Sequence, residues 1–268
     1  MKQSFYAPFA RGLAETGLAV LTYDYRGIGA SADRPLAKDP ATMGAWIEDA
    51  NAAQQWLADR LPTLPLLVVG HSFGAQVAAS LDQCRKADAL ALVGGQSGYF
   101  GAFPRAVREA LWVFWKLGLP TLTRTLGYLP RWVGLGEPLP RGVAEQWARW
   151  CLSPTYAASE LPELRPRWSA YRGRVLSLSF TDDDFAPLAN VEWLNAQMNS
   201  ADLEHRHFLP RTVGLDSVGH FGLFREKAES ALWPTVARFL HEAARDTVGA
   251  PTGSSMMRAV MSDLAYGR

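Results

Sequence analysis

The chain has 268 residues, 48% of them hydrophobic, enough to bury the core of one domain. Lysine plus arginine number 27 against 26 aspartate plus glutamate, a net charge of +1, so there is no strong field to recruit nucleic acid. No run of about 18 apolar residues could cross a membrane, the first residues lack the apolar stretch of a signal peptide, and two cysteines, Cys84 and Cys151, form no disulfide framework. These features together assign the protein to a reducing compartment, the cytoplasm.

In chain order, Phe5 to Thr16 reads as a helix, Leu18 to Tyr25 as a strand, and Met43 to Arg60 as a helix. The last carries Trp46, Ile47, Ala50, Ala53, Trp56 and Leu57 on one face at a spacing of 3.6. Leu64 to Val69 is an apolar strand that runs into Gly70, His71, Ser72, Phe73 and Gly74, with a helical pattern from Ala75 to Cys84 behind it. A serine between two glycines at a strand-to-helix junction is a nucleophile elbow: the turn is so tight that side chains at both flanking positions are expected to collide with neighbouring backbone, while the serine hydroxyl stays exposed. His71, adjacent to Ser72, is expected to point away from it.

Ala89 to Val93 is the next strand. From about residue 96 to 169 the alternation lapses, and six of the ten tryptophans, Trp112, Trp115, Trp132, Trp147, Trp150 and Trp168, fall there. Ala110 to Leu119 and Val143 to Leu152 are the best helices, with Pro104, Pro120, Pro130, Pro138 and Pro140 as breakers. The interleaving of arginine and tryptophan, as in Arg131–Trp132 and Arg149–Trp150, leaves peripheral membrane contact open, although no sustained basic amphipathic face can be traced.

Val175 to Phe180 then reads as a buried strand ending in Thr181, Asp182, Asp183 and Asp184, with Pro187 closing the loop and a helix from about Leu188. Leu203 to Leu209 is a weaker strand. His205 and His207 share one of its faces, near a sheet edge in water. Beyond it a loop ends in Val218, Gly219, His220, Phe221 and Gly222, and a final helix runs from about Arg225 to Ala244, with His241 on its solvated side. Residues 246–268 read as a linker and tail for which disorder is the expected state, with a short helix over Met256 to Leu264 as the alternative. Strands alternating with helices mean a mainly parallel sheet covered on both faces.

The blocks Asp24 to Ser31, Gly70 to Gly74, Ser179 to Asp184 and Gly219 to Arg225 occur in the order serine, acid, histidine. On these residues the chain resembles the α/β-hydrolases of the serine aminopeptidase S33 and monoglyceride lipase type, and within them a group of uncharacterised predicted hydrolases, over roughly residues 3 to 243. The resemblance implies an α/β-hydrolase core at residues 1–95 and 170–245 and a helical cap at 96–169. The implied catalytic residues are Ser72 as nucleophile, His220 as base and an aspartate behind it, with the Phe73 N–H as oxyanion donor. In many relatives the acid stands four residues before a proline, which selects Asp183, with Asp182 second. An aromatic roof implies an apolar acyl or aryl group beneath, and Tyr99, Trp112 and Trp115 are the candidates to line that pocket.

The expected activity is hydrolysis of a small carboxylic ester, ahead of an amide, through an acyl-enzyme. Acyl transfer by the same residues and a non-catalytic binding role are the alternatives. No nucleotide, flavin or metal motif is present, so no cofactor is expected and a zinc site is disfavoured. A carboxylate nucleophile, as in dehalogenases and epoxide hydrolases, is excluded by Ser72.

One feature departs from the family pattern. A strand and its oxyanion loop should precede the first helix and lie between Leu18–Tyr25 and Leu64–Val69, and this sequence reaches Met1 where that loop should end. Either the recorded start lies downstream of the true one, which is the preferred reading, or the two flanking strands close directly on each other in a reduced sheet.

Overall fold

The computed structural model describes residues 1–82, 87–248 and 257–260. Helix α1 (Ala7–Glu15) leads into strand β1 (Leu18–Leu21), α2 (Met43–Arg60), β2 (Leu66–His71), α3 (Phe73–Ala78) and β3 (Ala89–Val93). Between β3 and the next long strand lie α4 (Arg105–Val113), α5 (Leu119–Leu126), a small hairpin of β4 (Tyr128–Leu129) and β5 (Leu139–Pro140), then α6 (Arg141–Cys151) and α7 (Leu164–Ala170). The chain returns to the sheet with β6 (Arg174–Phe180), α8 (Leu188–Asn195), β7 (Asp202–Phe208), α9 (Glu229–Val248) and β8 (Met257–Val260).

The main sheet has the order β1-β8-β2-β3-β6-β7, with every neighbouring pair parallel. The inner strand β3 is apolar and buried throughout because both faces of the sheet are covered. Leu66 and Val68 of β2, with Leu90 and Leu92 of β3, pack toward α2, α3 and the β3–β6 segment. Leu67 and Val69, with Ala91, Val93 and Leu178, pack toward α1 and α9. The period of two sorts one strand into two cores.

Several boundaries differ from the sequence reading. The strand expected to reach Tyr25 stops at Leu21, where the chain turns off: the Asp24 carboxylate accepts from Gln3 N–H at 2.7 Å and Ala30 N–H at 2.8 Å, and so pins the following loop. Pro120 does not break a helix. It sits in the first turn of α5, where its missing N–H is harmless, and a π-helical stretch, Phe114–Gly118, joins α4 to α5. Helix α3 ends at Ala78, and the predicted helix end at Cys84 lies outside the described residues.

The largest difference concerns the slot between β1 and β2. These strands do not close on each other: β8 lies between them, with four residue pairs to β1 and three to β2. Residues 257–260 are therefore strand, neither the disorder expected of the tail nor its alternative, a short helix, and the rest of the tail from residue 249 lies outside the described residues. Backbone N–H and C=O groups inside a sheet cost about 1–3 kcal/mol each when left unpaired, which favours any segment that can complete the ladder.

Candidate active site

Strand β2 delivers Ser72 to the elbow between it and α3, and Ser72 adopts φ 50° and ψ −113°, a left-handed conformation rare for a residue with a side chain. Gly70 is required there. A Cβ on it would lie 2.8 Å from the Ala75 backbone, whereas a Cβ on Gly74 would meet nothing within 4 Å. Only the first of the two glycines is thus demanded by close approach, because helix and strand cross at Gly70 while Gly74 faces open space.

The loop after β6 carries Asp183, whose side chain is completely buried, and the loop after β7 carries His220. His220 Nδ1 and Asp183 Oδ2 are 2.8 Å apart. The other carboxylate oxygen accepts from the Phe185 N–H at 2.9 Å and the Ala186 N–H at 3.0 Å, so every contact of this group orients it as an acceptor toward the ring. Asp182 takes a different part: its Oδ2 accepts from the Val218 N–H at 2.8 Å and so shapes the approach to His220. Asp184 is exposed. The imidazole stacks on Phe185, with centroids 5.1 Å apart. Behind it Gly94, at φ +56°, leaves no room for a side chain: a Cβ there would be 3.2 Å from the ring.

Ser72 and His220 line one cavity of about 210 Å³, although no hydrogen bond joins the serine hydroxyl to the ring. Its walls include Tyr25, Met43 and Trp46 from the β1–α2 region, Val68 and Val77 around the elbow, and Leu139, Val143 and Trp147 from the β3–β6 segment. Trp46 stacks on Tyr25 at 4.9 Å, and burial pushes the Tyr25 hydroxyl up to about 12, so it stays protonated. Phe73 opens α3, and N–H groups in a helix's first turn have no intrahelical acceptor.

Residues 2–133 match the family described as serine aminopeptidase, S33. Among solved structures, a metagenome-derived lipolytic enzyme aligns over 88% of this chain and 87% of its own, at 16% identity and a TM-score of 0.56. A monoacylglycerol lipase from Paleococcus ferrophilus aligns over 90% of each chain, at 12% identity and a TM-score of 0.54. The chain has the α/β-hydrolase fold. The chain is also 38% identical over 92 residues to an uncharacterized protein of Mycobacterium tuberculosis, a stretch equal to 34% of this chain. The match spans 31% of that relative's length.

Three sequence-predicted pocket residues do not line the cavity. Tyr99 packs edge-on against Phe100. Trp112 lies 43% exposed on α4. Trp115 is buried, but against Trp147 at 5.1 Å, so it supports a wall residue instead of forming the wall. The cavity aromatics Tyr25, Trp46 and Trp147 went unrecognised because nothing in their local pattern separates a wall residue from a core residue.

His71 has a more specific role than a bystander. Tyr6 O–H donates to its Nδ1 at 2.8 Å, and its Nε2–H donates to the His220 carbonyl at 2.9 Å. Burial, with the His220 charge as a smaller cause, holds His71 well below the usual imidazole range, and burial raises the Tyr6 hydroxyl, so this relay is neutral with one tautomer. His205 and His207 sit on the edge strand β7, as the sequence suggests, but both reach the buried Ser179 hydroxyl, at 2.8 and 2.7 Å. His241 Nε2 pairs with Thr16 Oγ1 at 2.9 Å. Among the described residues there is no group of three His, Cys, Asp or Glu side chains arranged to hold a metal, and no helix long and apolar enough to cross a membrane.

Proposed function

We propose that this α/β-hydrolase cleaves carboxylic esters through an acyl-enzyme formed on Ser72. His220 takes the Ser72 proton as the hydroxyl attacks the ester carbonyl, and the Phe73 N–H stabilises the oxyanion. Asp183 keeps the imidazole in the tautomer with Nδ1–H and stabilises the imidazolium. The protonated His220 then gives its proton to the leaving alcohol. In the second half the same ring deprotonates water, which attacks the acyl carbon and releases the acid, and Ser72 recovers its proton.

The observation that carries this reading is the buried Asp183–His220 pair at the rim of the cavity that Ser72 also lines. The cavity volume of about 210 Å³ and its largely aliphatic and aromatic walls fit a short acyl group, with the β3–β6 segment acting as a cap. Labelling with a fluorophosphonate tests the reading. A covalent adduct on Ser72, lost in Ser72→Ala and His220→Ala, is the expected result, and a folded wild-type protein that takes no label refutes it.

A further inference from the structure

Beneath the elbow lies a chain of buried polar groups that the ester chemistry above does not use. Tyr156, fully buried in the β3–β6 segment, donates its hydroxyl to Gln76 Oε1 at 3.0 Å. Gln76 Nε2 donates to Gln96 Oε1 at 2.8 Å. Gln76 stands one turn beyond Ser72 on α3, and its N–H bonds to the Ser72 carbonyl. Both glutamines are more than nine-tenths buried, and both line the cavity. The Nε2 amine of Gln96 has no partner among the described residues.

The direction of this relay is fixed from its far end. Burial raises the Tyr156 hydroxyl well above its usual range, so the phenol keeps its proton, and the Gln76 Oε1 acceptor lies 3.0 Å away. That proton therefore goes to Gln76. Reversing the Gln76 amide would aim a donor at the phenol oxygen and leave the hydroxyl proton without that acceptor. Reversing Gln96 would set its amine against the amine of Gln76. This orientation pairs the Tyr156 hydroxyl with Gln76 and Gln76 with the Gln96 oxygen, and it leaves the Gln96 N–H donors for the cavity that this residue lines. Tyr156 is held at φ 49°, one of two residues with a side chain in the left-handed region among those described, the other being Ser72. Backbone strain of this kind persists where surrounding structure imposes it, so the hydroxyl position is tightly specified.

We propose that Gln96 forms a donor floor to the cavity, and that the ester cleaved here carries an oxygen acceptor, a ketone, ether or hydroxyl, on the portion that fills it. This inference rests on the serine hydrolase reading for its turnover test only. An apolar substrate would leave the Gln96 donors unpaired in a desolvated site, and the enzyme discriminates against it for that reason.

The test compares p-nitrophenyl hexanoate with keto analogues in which the carbonyl is moved along the acyl chain. The best keto ester should exceed the alkyl ester in kcat/KM by about tenfold, the worth of one well-made buried hydrogen bond at the upper end of its range. The ratio should fall to within about threefold in Gln96→Met and invert in Gln96→Glu, where a carboxylate faces the ketone. Tyr156→Phe, which frees the relay to reverse, should also erode the ratio. Fluorophosphonate labelling of each variant establishes that its site is intact. Equal rates on all esters in the wild type, or a ratio unchanged in Gln96→Met, overturns the proposal. If no ester is turned over, the hydrolase reading fails separately. The floor is then judged by binding of hexanoate and its keto acids, followed by tryptophan fluorescence, with equal Kd values overturning it.

Discussion

On one side of β2, strands β3 and β6 follow in chain order through ladders of five residue pairs each, and Ser72 and Asp183 extend from the ends of β2 and β6. On the other side, β1 meets β2 only through β8, a segment from the far end of the sequence that makes three pairs with β2. Side chains pack beneath both, with Leu67, Val69, Ala91, Val93 and Leu178 on the first flank and Leu18 and Leu21 of β1 on the second. On the second flank β8 gives both strands a backbone partner. In this molecule the proposed chemistry belongs to the flank whose neighbours are close in topology, and the sheet's completion is a separate problem.

The sharpest way to break this comparison acts on the site flank alone. Asp183→Asn should keep the fold and lower kcat by about 10⁴-fold, because an amide at this position no longer selects the Nδ1–H tautomer. Ester turnover measured beside a thermal melt checks it. A mild loss would mean that the buried pair is structural. On the opposite flank, Ala259→Pro should remove a ladder donor within β8 and disfavour the strand, lowering stability by about 2 kcal/mol in urea unfolding. An unchanged midpoint would show that the slot does not depend on this segment.

A smaller effect sharpens the link between α1 and the site. His71 is neutral in the folded protein and held below its unfolded value near 6.5, so as pH falls through that value the unfolded chain binds a proton that the native one does not. Stability present at pH 7 is therefore lost progressively below about pH 6.5, with a slope of at most about 1.4 kcal/mol per pH unit for this one group. Urea midpoints from pH 7 to pH 5 measure it. Gln has a donor at the place of Nε2 and does not titrate, so His71→Gln should flatten the slope. An equal slope in the variant would assign the acid sensitivity elsewhere.

Much of the site could be read from residue order. The elbow was legible because a strand-to-helix turn around a strained serine is a local event, and Gly70 marks it. Asp183 was selected over Asp182 by the proline four residues on, and the structure gives Asp183 to the imidazole and Asp182 to the Val218 N–H. The second elbow glycine was overread, since Gly74 faces open space. The pocket was the poorest reading. Trp112 and Trp115 lie in the tryptophan-rich segment, yet it is Trp147 that reaches the cavity, beside Tyr25 and Trp46 from another part of the chain.

Taken by itself, the amino-acid order determined the alternation of strands and helices and the loops that bear serine, aspartate and histidine, because turn chemistry and hydrophobic period act over a few residues. Only the tertiary structure decided which side chains wall the cavity, how the Tyr6–His71 and Tyr156–Gln76–Gln96 relays run, and which segment lies between β1 and β2. A cavity wall is defined by what stands opposite it. A backbone ladder accepts any extended segment whose N–H and C=O groups fall in register, so residue type carries little of either answer.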